Sequence, residues 1–418
     1  MATRSHILGV DFGTSNSSAG FFHDGKPRLI EVVPGKFTLP TTFFFDFETR
    51  QTLIGELANQ ALFEGYDGRF MRTLKRVLGT PLMHEKRQIL DKRVTFVEIV
   101  ADFLRHIKTR AEATTGLVFD NAISGRPVFF HSLNDPREKQ AELDLRTCYL
   151  AAGFNKVEFM AEPEAAAIAS RAQGQSAEIS LIVDIGGGTS DFSLFQSDHE
   201  SMKILANHGV RVGGTDFDRT ISFSQVMPFL GKGTQLRNVL GSGTSMLPNA
   251  IFNDLATWEK IPFLYTPQNS RLAQEMSRIA IEPDKLRRLS NVIDNRLGHD
   301  LAFAVENGKI MANAGHEKSL IRLDQIERGL TVPLPSEALA KILVSHTNIL
   351  QSTVHETVQK ANLDLQQIDR VIYVGGSSVM TVVVETIKML FPAAQHSFSD
   401  AFTAVAKGLA IASTRITQ

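Results

Sequence analysis

The sequence has little of the chemistry that marks disulfide-bonded, zinc-binding or membrane-spanning proteins. A single cysteine, Cys148, among 418 residues excludes an intramolecular disulfide and a cysteine zinc cluster. The 44 Lys and Arg balance 45 Asp and Glu, so the chain has no bulk attraction to nucleic acid or to an anionic membrane. We find no run of about 18 apolar residues, so no membrane span is predicted. The N-terminus leads directly into a strand with no long apolar stretch, so a signal peptide is not expected. These absences favour a cytoplasmic enzyme or binding protein.

The most informative feature that is present is an internal repeat. The first copy is Val10-Asp11-Phe12-Gly13, and the second is Val183-Asp184-Ile185-Gly186. An offset of 173 residues aligns the two copies and goes on to pair Ser18 with Asp191. An apolar run precedes each copy and a period-two alternation follows it, which predicts a strand on either side of each glycine loop. Rossmann and Walker loops open a helix instead, so the repeat favours a different nucleotide-binding fold.

The remaining pattern predicts further helices and strands in each half. Helices are predicted at residues 133–152, 164–172, 379–390 and 402–414 and after Pro335, and a strand at residues 369–374 runs into a glycine turn. Two stretches, residues 36–114 and 218–317, look like insertions. Alternating strands and helices in two copies predict a duplicated α/β architecture.

The two glycine loops have the composition of phosphate-binding loops. Glycine lets backbone N–H groups turn toward an anion, and several charge-assisted hydrogen bonds then add up. The residues with this role are Gly13, Thr14, Ser15 and Asn16 in the first loop and Gly186, Gly187, Gly188 and Thr189 in the second. The alternative interpretation is a pair of tight β-turns with no ligand.

Asp11 and Asp184 stand at the ends of the two apolar strands, where a carboxylate is unfavourable unless it is paired or lies near a metal. Mg²⁺ takes one or two carboxylates together with phosphate oxygens, so these two side chains are the predicted metal ligands. The structural alternative is a carboxylate that caps its own glycine turn.

Together these motifs resemble the nucleotide-binding domain of DnaK-type heat-shock chaperones, and more narrowly the YegD-like branch. Supporting motifs follow in the same order along the chain: Lys75-Arg76-Val77-Leu78-Gly79, Met160-Ala161-Glu162-Pro163-Glu164, Val212-Gly213-Gly214-Thr215-Asp216 and Val374-Gly375-Gly376-Ser377. The resemblance implies a duplicated actin-like (ribonuclease H-like) ATPase fold, with two lobes of four subdomains around a nucleotide cleft. It also implies binding and slow hydrolysis of ATP, with ATP/ADP and Mg²⁺ in the cleft.

The resemblance implies a role for each matching residue. Lys75 would hold the γ-phosphate and the attacking water, and Glu162 would position water and magnesium. Asp184 and Asp191 would be proton acceptors, and Thr189 would lie beside the γ-phosphate. The remaining residues would contact the phosphates, the ribose or the adenosine: Thr14, Ser15, Gly213, Gly214, Glu306, Lys309, Gly375, Gly376 and Ser377. Taken alone, Lys75 would suggest a basic surface helix, and Glu162 would suggest a helix-dipole partner.

The resemblance also implies a division of the chain. One lobe would have residues 1–35 and 115–175 as its core subdomain and residues 36–114 as its inserted subdomain. The other lobe would have residues 176–217 and 318–418 as its core subdomain and residues 218–317 as its inserted subdomain.

The adenine side departs from the family pattern. Ile310 and Val379 stand where the chaperones carry arginines that stack on the base, and Phe402 stands where an Asp is expected. Losing two cationic contacts is expected to weaken adenine binding by roughly 1–2 kcal/mol. The apolar linker and the β-rich peptide-binding domain of the chaperones are not found in this sequence, so binding of unfolded peptides in the usual way is not expected.

The predicted function is therefore an ATPase switch that signals to a partner protein or co-chaperone through the angle between its lobes. Two alternatives remain open from the sequence. One is a small-molecule kinase of the same superfold, and the other is a non-catalytic or filament-forming actin relative in which nucleotide only governs assembly.

Overall fold

The computed structural model describes residues 6–132, 134–170, 178–197, 202–238, 241–315, 319–399 and 403–416. The strands are β1 (Ile7–Asp11), β2 (Asn16–His23), β3 (Lys26–Leu29), β4 (Thr38–Pro40), β5 (Thr42–Asp46), β6 (Thr52–Ile54), β7 (Gly68–Arg72), β8 (Arg87–Ile89), β9 (Lys92–Val94), β10 (Asn121–Arg126), β11 (Lys156–Ala161), β12 (Glu178–Ile185), β13 (Ser190–Ser197), β14 (Met202–Val210), β15 (Gln235–Arg237), β16 (Thr244–Met246), β17 (Leu320–Arg322), β18 (Thr331–Pro333), β19 (Arg370–Val374) and β20 (Gln395–Phe398). The α-helices are α1 (Glu56–Phe63), α2 (Phe96–Thr115), α3 (Arg137–Ala151), α4 (Glu162–Ser170), α5 (Gly214–Ile221), α6 (Ala250–Leu255), α7 (Pro267–Ile279), α8 (Pro283–Asp294), α9 (Gly298–Asn313), α10 (Ser336–Lys360), α11 (Thr381–Leu390) and α12 (Ala404–Ile416).

Two sheets share one topology. In the first, the strand order is β11-β10-β1-β2-β3, with β4 pairing beside β2, and in the second it is β14-β13-β12-β19-β20. The first three strands of each sheet, β1-β2-β3 and β12-β13-β14, form an antiparallel meander. Two further strands, β10 and β11 in the first sheet and β19 and β20 in the second, extend the sheet in parallel on the other side of β1 or β12. The pairing of Asp11 with Ser18 in the first sheet recurs as the pairing of Asp184 with Asp191 in the second. The duplication expected from the 173-residue offset is therefore present in the hydrogen-bond register.

Helices α4 and α12 join the two halves. Helix α4 packs against β12 and β13, α12 packs against β1 and β2, and the two helices pack against each other. Their contact is very close, because a Cβ added to Gly408 would lie 1.7 Å from the carbonyl oxygen of Ala165. Ile123, Ile182 and Leu409 belong to one buried apolar cluster here, so each half contributes to a shared core.

The segments between the two core sheets build further layers. Strands β5, β6 and β7 form a three-stranded sheet whose aromatic residues are buried, and α2 packs its apolar face into the same core. Thr95 caps α2 through a reciprocal capping box with Glu98, and Gly116 ends the helix in the left-handed conformation. Residues 250–313 are largely helical, with α7 packed on α8.

Most predicted elements are present with shifted ends. The helix predicted at residues 133–152 runs over Arg137–Ala151, and the one predicted at residues 379–390 runs over Thr381–Leu390. Within the inserted stretch of residues 218–317, β15 and β16 form a short hairpin. Among the helices of the described ranges, none is long and apolar enough to cross a membrane.

Candidate functional site

The two glycine loops face each other across one cavity of about 420 Å³. Each loop is the tight turn of an antiparallel strand pair, as the repeat predicted. An ideal Cβ at Gly187 would lie 2.4 Å from Ser15 Oγ, and one at Gly188 would lie 2.9 Å from Thr14 Oγ1. The two turns are therefore so close that side chains larger than hydrogen at these positions would collide with the opposite turn.

Backbone hydrogen bonds hold the second turn to its neighbours. Gly186 N–H donates to Thr189 O at 3.1 Å, which closes the turn. Gly214 N–H donates to Gly186 O at 2.9 Å, so the start of α5 is fixed against the turn. Gly375 has a φ of 81°, and a Cβ at this position would lie 2.7 Å from Asp184 Oδ1. Glycine is therefore required where the chain passes the carboxylate.

Lys75 lies in this cavity and not on the surface. It belongs to a 3₁₀ turn (Leu74–Val77) that follows Thr73, a residue in the left-handed conformation. Its side chain is 7% exposed, and Nζ lies 2.5 Å from Glu162 Oε1. The alternative of a basic surface helix is wrong, because burial beside a carboxylate overrides the basic local sequence.

Four carboxylates interact electrostatically with the ammonium group of Lys75: Glu162, which contacts it, and Asp11, Asp184 and Asp191. Burial and the nearby Glu162 raise the pKa of Asp11 to about 7, although Lys75 opposes the rise. Burial and the charges of Glu162, Asp191 and Asp11 also raise the pKa of Asp184. For Lys75, burial alone would lower the pKa, but Glu162 and Asp11 outweigh it and raise the value. Carboxyl groups outnumber the one ammonium group in this cluster, so a bound cation would stabilise their ionised forms.

Asp191 sits one layer behind the cavity. It is 1% exposed, and its Oδ1 accepts a hydrogen bond from Val128 N–H at 2.7 Å. Burial and Glu162 raise its pKa to about 7. Gly213 also lies outside the cavity lining, because it caps α5 and packs on the backbone of Gly187 and Gly188. The other predicted site residues line the cavity: Asp11, Gly13, Thr14, Ser15, Asn16, Lys75, Glu162, Asp184, Gly186, Gly187, Gly188, Thr189, Gly214, Glu306, Lys309, Gly375, Gly376 and Ser377.

One face of α9 forms another wall of the cavity. Residues 306, 309, 310 and 313 lie on this face because they are three, four and seven positions apart. Glu306 accepts two hydrogen bonds from Arg72, at 2.7 and 3.0 Å. Lys309 Nζ lies 2.6 Å from Asp218 Oδ1. Glu306 and Lys309, the two side chains predicted to contact adenosine, are therefore each paired with another side chain of this protein.

Two arginines that were not among the predicted site residues, Arg72 and Arg76, cross the cleft. The guanidinium of Arg72 lies over the ring of Trp258 at 4.5 Å, in addition to its pair with Glu306. Arg76 donates to Thr215 Oγ1 at 2.6 Å and to both carboxylate oxygens of Asp216. These contacts tie the segment around Lys75 to the helices of the opposite half. Arg76 and Asp216 both lie within motifs that the family resemblance identifies. A charged residue inside such a motif is therefore the sequence signal by which these two residues could have been found.

The side chains that the structure describes do not complete a metal site by themselves. Within the described ranges, no group of three or more His, Cys, Asp or Glu residues is arranged to hold a metal ion. Mg²⁺ commonly takes one or two carboxylates and completes its shell with phosphate oxygens and water. Two carboxylates, Asp11 and Asp184, line the cavity, and this set of oxygen donors fits an ion bound in that way. Phe402, which stands where the family pattern has an Asp, lies outside the residues that the structure describes.

Comparison with known proteins places this chain in one family. The family model described as Hsp70 protein matches residues 7–229 and 321–416. The chain therefore belongs to the Hsp70 family, and its fold is the duplicated actin-like ATPase fold of that family.

One curated relative is the "Chaperone protein DnaK" of Ureaplasma urealyticum serovar 10 (strain ATCC 33699 / Western). It is 26% identical over 391 residues, which cover 93% of this chain and 55% of the relative. The chain thus spans about half the length of that relative. The family match includes both glycine turns, Lys75 and Glu162, and it leaves out α9.

Proposed function

We propose that this chain is an ATP-binding and ATP-hydrolysing switch in which Mg-ATP lies between the two halves and its slow hydrolysis changes their angle. The observation that carries this proposal is the meeting of two glycine turns with Lys75, Glu162 and Asp184 around one cavity. Phosphoryl transfer to water requires mainly positioning and charge stabilisation, and these groups supply both.

The turns fit the phosphates. Backbone N–H groups of glycine turns bind anions with little steric hindrance, and the hydroxyls of Thr14, Ser15 and Thr189 add donors along the same cavity wall. Lys75 adds a buried positive charge that Glu162 holds in place at 2.5 Å. A buried ammonium is well suited to the γ-phosphate, because charge interactions strengthen where water is excluded.

Magnesium would be held by Asp11 and Asp184, and it would neutralise phosphate charge when bound. Glu162 would orient the attacking water. The oxygen of this water would form a bond to the γ-phosphorus. At the same time the bond between that phosphorus and the β–γ bridging oxygen would break, which releases ADP and phosphate. Asp184 or Asp191 would accept the proton that the water loses. Burial raises the pKa of Asp191 to about 7, so this group, which is not a proposed magnesium ligand, binds a proton more readily than an exposed carboxylate.

The division into lobes belongs to the same proposal. Residues 1–35 with 115–175 and residues 176–217 with 318–418 would be the two core subdomains, and residues 36–114 and 218–317 would be the inserted ones. Closure of the two lobes would be read by a partner protein or co-chaperone. Support comes from the family, whose relative is described as a chaperone.

Phosphate release from Mg-ATP by the purified chain tests this function. Wild type is expected to release phosphate with no added acceptor, and Lys75→Ala and Asp184→Asn are expected to lose at least about 100-fold in rate, as for removal of charge stabilisation in other enzymes. Lys388→Ala is the matched control, because Lys388 is exposed in the last turn of α11 and lies outside the cavity lining.

Two other outcomes would contradict the proposal. Turnover that appears only when a sugar or an organic acid is added would indicate a small-molecule kinase. Tight nucleotide binding with no turnover under any condition would indicate a non-catalytic scaffold.

A further inference from the structure

Arg76 follows Lys75 in the same 3₁₀ turn, but its side chain contacts the opposite half of the molecule. The guanidinium donates to Thr215 Oγ1 at 2.6 Å and to the two carboxylate oxygens of Asp216 at 3.0 and 3.1 Å. Its Nε also lies 3.6 Å from Glu259 Oε1. The side chain of Arg76 is 13% exposed, so these contacts are made where little water competes for the same groups.

The partners of Arg76 are the residues that fix the second glycine turn. Thr215 donates twice to Gly187 O, from its N–H at 2.8 Å and from Oγ1 at 2.7 Å. Asp216 accepts a hydrogen bond at 2.9 Å from the N–H of the residue that caps α5. Arg76 also packs on the turn directly, because an ideal Cβ at Gly188 would lie 3.3 Å from Arg76 Cγ. Arg76 therefore contacts both the turn and the helix start that holds it.

The backbone of Arg76 is fixed from both halves. Arg76 N–H donates to Thr73 O at 2.9 Å within its own half. Arg211, which follows β14 in the opposite half, donates to Arg76 O at 2.6 Å. Adjacent Cα atoms are about 3.8 Å apart, so a shift of Arg76 also shifts Lys75. The position of the Lys75 ammonium group relative to the second glycine turn therefore depends on Arg76.

We propose that Arg76 is a positioning residue for hydrolysis, whose pair with Asp216 places Lys75 at the working distance from the second glycine turn. Arg76 does not line the cavity, so it acts on the γ-phosphate through Lys75 and not by contact. A displacement of about 1 Å in a group that positions a reacting atom can slow the chemical step by about 100-fold. Because the pair joins the two halves, hydrolysis depends on their contact at this point.

This inference rests on the proposed function, in which Lys75 holds the γ-phosphate. A purely structural role for the pair predicts a different result. Loss of a structural ion pair lowers the stability of the fold and leaves the hydrolysis step of the folded chain unchanged. Loss of a positioning contact slows that step and leaves the binding of ADP unchanged, because ADP has no γ-phosphate for Lys75 to hold.

Single-turnover hydrolysis of bound Mg-ATP and calorimetric binding of Mg-ADP separate the two roles. Arg76→Met is expected to hydrolyse ATP at least about 30-fold more slowly than wild type, with a dissociation constant for Mg-ADP within about threefold of the wild-type value. A wild-type hydrolysis rate in folded Arg76→Met, or equal losses in hydrolysis and in ADP binding, would overturn the proposal.

The conservative variant Arg76→Lys gives a second measurement if Arg76→Met does not fold. Lysine keeps a cation beside Asp216 but loses the planar arrangement that makes two hydrogen bonds to one carboxylate. Its hydrolysis is expected to be about three- to tenfold slower than that of wild type, which is a partial rescue. A rate unchanged from wild type would contradict the positioning role.

Asp216→Asn tests whether Arg76 acts through this partner. Asparagine keeps an acceptor for the N–H of the residue that caps α5 but removes the charge. Its hydrolysis is expected to be at least about tenfold slower than that of wild type, and adding Asp216→Asn to Arg76→Met is expected to cause no further loss, because both changes remove one contact. Losses that multiply in the double variant would overturn the assignment to this pair.

Arg288→Met is the matched control. Arg288 also makes two hydrogen bonds to one carboxylate, that of Glu327 at 2.6 and 2.9 Å, but this pair lies within one half and outside the cavity lining. Its hydrolysis rate is expected to stay within about twofold of wild type. Equal losses in Arg288→Met and Arg76→Met would overturn the proposal. Hydrolysis that is lost in Lys75→Ala and intact in Arg76→Met would overturn this inference alone, whereas no hydrolysis by wild type would also overturn the proposed function.

Discussion

Replacing Arg72 with methionine is expected to destabilise the fold by about 3 kcal/mol, because it leaves Glu306 partly buried without its cation. The side chain of Arg72 is 6% exposed and that of Glu306 is 22% exposed. Burial would raise the pKa of Glu306, and the facing Arg72 outweighs this and lowers it. The guanidinium also lies 4.5 Å from the centre of the Trp258 ring and 5.2 Å from that of Phe303, contacts worth about 0.5–1 kcal/mol each.

A double-mutant cycle separates the ion pair from these ring contacts. Arg72→Met, Glu306→Gln and the double variant are compared with wild type by urea unfolding, followed by circular dichroism and tryptophan fluorescence. The coupling energy between the two side chains is expected to be about 1.5–3 kcal/mol, since the two groups share hydrogen bonds at 2.7 and 3.0 Å. Lys36→Met with Glu56→Gln is the matched control cycle, because that exposed pair at 2.7 Å is expected to couple by less than about 0.5 kcal/mol.

Additive effects of Arg72→Met and Glu306→Gln, within about 0.5 kcal/mol, would refute the reasoning. They would mean that the pair contributes no more than an exposed one and does not hold β7 against α9.

Three further predictions concern single buried positions. Burial lowers the pKa of His299 from 6.5 to about 3, so the unfolded chain binds one more proton than the folded chain between these values. The free energy of unfolding should therefore fall by about 1.4 kcal/mol per pH unit on acidification through this window, and His299→Leu should remove that part of the slope in urea unfolding. Gly408→Ala should destabilise the fold by at least about 3 kcal/mol in the same assay, because the added Cβ would lie 1.7 Å from Ala165 O, whereas an unhindered helix position would gain about 1 kcal/mol. Burial raises the pKa of the Cys148 thiol, so iodoacetamide should label it only after unfolding, and rapid labelling of the native chain would contradict its buried position.

The repeat was predictable from sequence because it is local. Each glycine turn joins two adjacent strands, so the period-two pattern and the Asp-Gly spacing were enough to place Asp11 and Asp184 at the mouths of two turns. The meeting of the two turns followed from the duplication, since equivalent ends of two related sheets carry equivalent loops.

The contacts across the cleft could not be predicted in this way. Arg72 and Glu306 are 234 residues apart, and nothing in either local sequence specifies a partner at that distance. The same holds for Lys309 and Asp218, whose pairing depends on how α9 approaches α5. Lys75 stands in a basic stretch that predicts an exposed helix, and only the packing of the whole site buries it.

Both glycine turns are proposed to bind the phosphates of one nucleotide. A crystal structure of the chain with Mg-ADP tests this proposal most directly. We predict phosphate oxygens within hydrogen-bond distance of Thr14 or Ser15 on one side and of residues 187–189 on the other, with Mg²⁺ facing Asp11 and Asp184. A nucleotide bound elsewhere, or one that contacts a single turn only, would contradict the account.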